Sequence, residues 1–466
     1  MLDDLPIPLD RTAAEPLSVQ VADALRTAAT GGVVRVGERL PSSRALAERL
    51  GVSRAVVSTA YDQLHAEGWI AGRRGSGTYL STAPAAAPAN IDTGTVTDPG
   101  TGLLDLGPGA PCVEAVDPAA WRRAWRAAGD HPADARKDRA GEPDFRAAVA
   151  DHLLRHRGLA AGAGSVVLAT AGTSSAVGEL ASALLLPGDT VAMEDPGYQR
   201  AVGAFEAAGI RVLPVPVDAD GLRVDRIPAG VRAVYCTPAH QFPLGARMPA
   251  ARRVELIEFA RATGIFVIED DYDGELRYDT APLPLLASMA PDVVVHLGTT
   301  SKIITTTLGV GWLVARPDIT EAVLTHRTQT GTTPGPAGQR ILSEFARHGD
   351  LARHLRRLRR VVPPRRALVV DTLAHHGLPV LGDDAGSHVV VELPDAATEQ
   401  RAVAVARTHG VLLDGLARHH LADPHRFGIA IGYTALPTTD LATAVPIAAT
   451  SLATALRPPP TAPVRS

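Results

Sequence analysis

Lysine is nearly missing from this 466-residue chain. Of its 46 Lys and Arg residues, only Lys137 and Lys302 are lysine, so arginine supplies almost all of the positive charge. A guanidinium stays protonated and does no amine chemistry. A lysine kept against that background is a candidate for Schiff-base chemistry with an aldehyde. Cysteine is as scarce: Cys112 and Cys236 are too few for a disulfide framework, and a reducing cytoplasm is expected. No apolar run reaches about 18 residues, so no transmembrane helix and no membrane partner are expected. The stretch MLDDLPIPLD is acidic and has no continuous apolar core, which argues against a secretory signal. The net charge of −4 does not favour nucleic acid, although an average can hide a local patch.

Residues 1–80 read as one compact unit. The spacing of Val21, Ala24, Leu25 and Ala28 predicts a helix from Leu17 to about Ala29. In LPSSRALAERLGVSRAVVSTAYDQLHAEGWI, Ser42 or Ser43 can cap a short helix through Leu50, and Gly51 permits a tight turn. Ser53 then caps a second helix carrying Val56, Val57, Ala60, Tyr61 and Leu64, ending near Gly68. Two helices joined by a short Gly-containing turn make a helix-turn-helix. WIAGRRGSGTYL follows as two short strands, a wing around residues 72–77. Residues 35–74 hold seven arginines against four acids, so the patch hidden by the average lies here. Ser43, Arg44, Ser53, Arg54 and Ser58 on the two helices, with Arg73 and Arg74 on the wing, are the candidate DNA contacts.

Residues 81–102, STAPAAAPANIDTGTVTDPGTG, are rich in Ala, Pro, Thr and Gly and read as a flexible linker. From 103 to about 458, helices alternate with the short apolar runs SVVLAT, TVAMED, VRAVYCT, IFVIEDD, VVVHLG and VGWLVA. Each is Val/Ile-rich and bounded by turn residues, the pattern of a buried parallel sheet, so the class is α/β. Residues 459–466 read as a disordered tail.

The first unit resembles the winged helix-turn-helix of GntR-type transcription regulators. The second resembles a fold-type-I aminotransferase with a small C-terminal α+β subdomain, because EDPGY, TPAHQFPLG, IEDDYDGELRYD and GTTSK occur in order. The combination is similar to the MocR/GabR group and covers residues 15 to 455. That resemblance implies pyridoxal 5′-phosphate (PLP) on Lys302. It implies Asp270 at the pyridine nitrogen, with Asp271 as the alternative, Tyr272 at the ring hydroxyl, and Tyr198 stacked on the ring. Gly172, Thr173 and Ser174 would hold the phosphate at a helix N-terminus, with hydroxyls from Thr299 and Ser301. Arg426 and Arg200 would take the carboxylate of an amino-acid ligand. No motif implies a metal.

The family arginine that pairs with the cofactor phosphate is absent: Gly309 stands in its place, and Thr306 replaces the usual proline. Upstream, Arg136-Lys137-Asp138-Arg139 replaces a segment that usually reaches the neighbouring subunit's phosphate. Arg136, with Arg139 as runner-up, is therefore expected to supply the cation from a partner copy. The resemblance implies a cytoplasmic homodimeric regulator that binds an operator of two half-sites and senses a small amine, an amino acid or PLP itself. The alternative is a working aminotransferase with an appended DNA-binding domain.

Overall fold

A computed structural model of the chain describes residues 7–73, 77–81, 102–132, 138–160, 164–278 and 284–457. Most of the proposed linker, the tail from 459, Arg74, Arg136 and Lys137 lie outside the described residues. The chain forms two compact units, dividing at residues 98 and 99.

In the first unit, helices Leu17–Thr30, Ser43–Leu50 and Arg54–Ala66 enclose a core of Val21, Leu25, Leu46, Val57, Leu64 and Leu80. Ser42, rather than Ser43, caps the second helix by accepting from the Ala45 amide (3.2 Å), and Ser53 caps the third by accepting from Val56 (3.4 Å). Gly51 closes the turn between them in the left-handed region (φ 61°). Strands Ile70–Arg73 and Gly77–Leu80 pair antiparallel, with Arg73 opposite Gly77.

The second unit is built on an eight-stranded sheet. Its order is 166–170, 311–315, 294–299, 266–271, 233–236, 190–195, 211–218 and 221–222. The five strands from 294–299 to 211–218 run parallel, as the sequence pattern predicts. The expectation of a purely parallel sheet is corrected at VGWLVA: the Gly311–Ala315 strand is antiparallel to both its neighbours. The reason is connection length. Only residues 300–310 join it to the 294–299 strand, too few for a crossover helix, so the chain must turn straight back. Lys302 sits in that reversal.

A three-stranded antiparallel sheet, His388–Leu393, Phe427–Gly432 and Asp414–Gly415, forms the C-terminal part with helices Ala396–Thr408 and Thr438–Leu456. The last helix, 19 residues with mean hydropathy 1.2, is long and apolar enough to cross a membrane by length and composition. Asp440, Pro446 and several Thr interrupt its apolar run, which is why no such segment was expected from the sequence. Its Leu441, Val445, Ala448, Ala449 and Leu452 are buried in the same core as the Ala396–Thr408 helix.

Candidate functional site

The carboxyl ends of parallel strands open into a crevice where α/β sheets bind ligands. Here that crevice is a cavity of about 610 Å³ lined by residues including Lys302, Asp270, Tyr272, Tyr198, Arg200 and Thr173. Six sequence-predicted residues thus meet, although they come from positions 173 to 302.

Lys302 is positioned by its neighbours. Ile303 and Ile304 are buried as anchors, and the Thr300 hydroxyl and amide both donate to the Val310 carbonyl across the reversal. Lys302 Nζ donates to the Gly109 carbonyl at 2.5 Å. Gly109 has φ +91°, a conformation that favours glycine, and a Cβ there would lie 2.9 Å from Nζ and push the amine aside. Burial lowers the Lys302 pKa, against the charges of Asp273 and Asp270.

The alternation of a strand separates the two adjacent carboxylates. Asp270 faces the cavity; Asp271 points to the opposite side of the 266–271 strand and meets Arg157 at 2.7 Å. Asp270 Oδ2 accepts from the Tyr235 hydroxyl at 2.5 Å, whereas Oδ1 is buried with no hydrogen-bond partner among the described residues. Burial pushes the Asp270 carboxyl up to about 6 despite the Tyr235 bond and the Lys302 charge.

Tyr198 precedes the Gln199–Ala207 helix; its hydroxyl lies 3.2 Å from Ser174 Oγ. Its ring packs edge-on against Phe242, 5.7 Å between centroids. Gly172 and Thr173 open the Thr173–Leu184 helix, whose first amides have no side-chain cap. Thr299 Oγ1 lies 3.0 Å from Ser301 Oγ and accepts from the Ser301 amide. Tyr272 is buried and donates to the His240 carbonyl at 2.9 Å.

Arg426 is placed elsewhere. It immediately precedes the Phe427–Gly432 strand, where antiparallel pairing sets it beside Glu392, and the two side chains pair at 2.7 Å. It lines a different cavity, with Asp218, Asp220 and Asp383. The C-terminal part instead gives the Lys302 cavity Asp414, Arg418 and His419 from the turn at 414–419. Arg418 donates to Asp414 Oδ2 at 2.7 Å. These three, with Phe242, Thr237 and Gly109, were not singled out from the sequence. Phe242 and Thr237 lie in TPAHQFPLG, whose link to EDPGY is now physical: Thr237 Oγ1 donates to Glu194 (2.5 Å) and Gln241 to the Pro196 carbonyl (2.9 Å). Gly309 ends a 3-10 turn in the left-handed region (φ 56°), with open space where a side chain would stand. Arg139, the runner-up cation, is exposed, and its carbonyl accepts from Arg327.

In the first unit Arg44, Ser53 and Arg54 are exposed at the starts of the second and third helices, with Ser43 and Ser58 half-buried. Arg54 Nε lies 3.4 Å from Ser43 Oγ, so the two helix N-termini form one polar surface.

The gntR family of bacterial regulatory proteins matches residues 17–80, and the aminotransferase class I and II family matches residues 101–441. The chain is 36% identical over 378 residues to the HTH-type pyridoxine biosynthesis transcriptional regulator PdxR of Corynebacterium glutamicum, covering 80% of this chain and 82% of that protein. It is 30% identical over 461 residues to the probable rhizopine catabolism regulatory protein MocR of Rhizobium meliloti, covering 92% of each. Among solved structures, a Pyrococcus horikoshii kynurenine aminotransferase superposes with a TM-score of 0.70 at 23% identity, covering 77% of this chain and 92% of that one. This last likeness shows the fold alone.

Proposed function

Because the chain belongs to the MocR-type regulators, which join a GntR-type helix-turn-helix to a class I and II aminotransferase domain, we propose that its second unit is a PLP-binding sensor governing DNA binding by the first. The observation that carries this reading is the Lys302 cavity, with the unpartnered Asp270 Oδ1 in its wall. That buried oxygen lacks a partner and a protonated ring nitrogen supplies one, so these residues fit the cofactor. When bound, PLP supplies a reactive aldehyde on an electron-withdrawing ring.

The chain's own groups divide the binding. Lys302 presents the amine, and Asp270 holds the proton at the ring nitrogen. Tyr198 would cover a ring face, and Tyr272 would hold the ring oxygen once its hydroxyl turned from the His240 carbonyl. The amides at Thr173 and Ser174, with the hydroxyls of Thr299 and Ser301, would receive the phosphate, and the Gly172 amide would join them on leaving Thr170 Oγ1 (3.3 Å). The missing cation comes from Arg136 of a second copy, with Arg139 as runner-up. A charge-assisted bond of that kind contributes on the order of 1.5–3 kcal/mol. Arg136→Ala should therefore weaken PLP binding about 10- to 100-fold; unchanged affinity in a spectral titration would remove Arg136 from the site. Arg200 and Arg418 face any carboxylate that enters the cavity; Arg426 would first have to leave Glu392.

The likeness to a pyridoxine biosynthesis regulator makes PLP itself our first choice of effector, ahead of an amino compound. Action is in the cytoplasm, as a homodimer whose two winged units engage two half-sites. Joining the units raises the effective concentration of the second and hence the avidity. Light scattering should read a dimer; a monomer that keeps full operator affinity counts against it. Within each unit, Arg54 at the start of the recognition helix reaches base edges, and Arg44 and the wing arginines lie along the backbone. Arg54→Ala should cost about 1–3 kcal/mol of discrimination between operator and scrambled DNA. Arg44→Ala should weaken both alike if it contacts phosphate. Fluorescence anisotropy on both duplexes separates these outcomes, and unchanged discrimination in Arg54→Ala refutes the assignment.

The deciding experiment measures operator affinity with and without PLP, then with a panel of amino compounds, alongside amino transfer to a keto acid. A shift in affinity without repeated turnover is expected. Sustained turnover with no effect on DNA binding would instead make the protein an aminotransferase.

A further inference from the structure

Beside the cavity, at the seam between the 190–195 strand and the 416–426 segment, three ligand-type side chains converge outside the cofactor site. Asp195, His420 and His425 bring one oxygen and two ring nitrogens within 4.8 Å of one another. The first two side chains are buried, at 4% and 0% exposure, and His425 is exposed.

The hydrogen bonding of His420 singles out this group. Its Nε2 lies 3.2 Å from the Arg426 carbonyl. A carbonyl only accepts, so Nε2 carries the proton. In the neutral ring, Nδ1 is then a bare lone pair. It lies 3.1 Å from Asp195 Oδ1, yet it is buried with no aligned hydrogen-bond partner among the described residues. Facing a carboxylate oxygen, that nitrogen must hold either a second ring proton, which makes an Asp195–His420 ion pair, or a metal ion. A backbone carbonyl fixing the far nitrogen is also how a metal-binding histidine is usually oriented.

We propose that Asp195, His420 and His425 form a site for a divalent transition-metal ion of the zinc class, with water in the fourth position. Ligand atoms about 2.1 Å from a tetrahedral zinc stand about 3.4 Å apart. The Asp195–His420 pair, at 3.1 Å, is already close to that spacing. His425 must close in by up to about 1.4 Å, and an exposed side chain can do so. The two histidines are separated by four residues, within the spacing of histidine pairs that bind zinc. Two imidazoles and one carboxylate suit zinc better than calcium or magnesium, which take oxygen ligands.

The ion would reinforce an existing seam. Leu421 N already donates to Asp195 Oδ1 at 2.8 Å, and the Gly197 amide and Gln199 side chain donate to the His419 carbonyl at 2.9 and 2.8 Å. Tyr198 and His419, which line the Lys302 cavity, are next in sequence to members of that seam. Metal binding would therefore hold the C-terminal wall of the cavity against the turn after the 190–195 strand, which carries Tyr198.

The test uses the untagged full chain, stripped of metal with chelator, and reads neither PLP nor DNA, so its failure is independent of the sensor reading. Cobalt(II) should bind at one equivalent with the intense visible bands of a tetrahedral site, and zinc should displace it. His425→Ala, at an exposed position that leaves the core intact, should weaken zinc binding at least about 100-fold. Losing a mere outer-shell partner already costs 10–100-fold. Asp195→Asn should weaken it comparably, while His375→Ala on a distant helix should not. The proposal is overturned if no stoichiometric ion binds, if cobalt gives only weak bands, or if His425→Ala binds zinc as the parent does.

Discussion

Lys302→Ala is expected to abolish covalent capture of PLP. Reduction with borohydride followed by peptide mapping should place the pyridoxyl label on Lys302 in the parent chain and leave the variant unlabelled. Residual binding should be weaker by two orders of magnitude or more, about 2.7 kcal/mol. Burial is what fits this amine to the task. It lowers the Lys302 pKa, with Arg200 adding to the effect and Asp273 and Asp270 opposing it. More of the amine is therefore neutral and nucleophilic near neutral pH. Capture should speed up as pH rises through that lowered pKa and level off above it. Label on Lys137, the only other lysine, would refute the assignment. DNA binding by the first unit should survive, since its core is made of its own residues.

The chemistry at this site was legible because it depends on rare residue types at strand ends. A lysine in a chain that avoids lysine stands out, and so does a carboxylate pair closing a Val/Ile run. The winged unit was legible for a different reason: its caps and turn are local, and Ser42, Gly51 and Ser53 act within a few residues of their own position. What could not be read was anything fixed by pairing distant segments. The direction of the 311–315 strand follows from the length of one connection. Arg426 leaves the cavity because strand register sets it beside Glu392. Arg418 enters because the 414–419 turn, not the strand start, reaches the cavity. Nor could the choice between Asp270 and Asp271 be made on charge alone; it required knowing which face of the strand carried the other cation.

That cation is Arg157, and removing it is expected to be the most damaging single change in the second unit. Arg157 ends the Pro143–Arg157 helix, and nothing in the sequence separates it from the other arginines. In the fold its side chain is fully buried, and it donates to Asp271 at 2.7 Å. Glu275 lies in the same cluster and is paired with His152 at 3.0 Å. Burial pushes the Asp271 carboxyl up, and the Arg157 charge is the main force pulling it back. Arg157→Ala leaves a buried carboxylate without its partner, which typically costs 3–5 kcal/mol. With Arg157 gone, the folded-state pKa of Asp271 lies further above its unfolded value. The fold is then penalised increasingly as pH rises toward that pKa, and least where the carboxyl is protonated in both states. Denaturant unfolding of the variant should therefore show a larger loss at pH 8 than at pH 5. Replacing Asp271 by Asn in the same chain should recover part of it, because the uncompensated charge is removed. Gly274→Ala should also destabilise, since a Cβ there would collide with both Asp271 and Arg157. That collision accounts for the glycine in DYDGEL. A loss in Arg157→Ala of under about 1 kcal/mol, or an equal loss at both pH values, would mean that solvent reaches Asp271 and that the pair is not buried in solution.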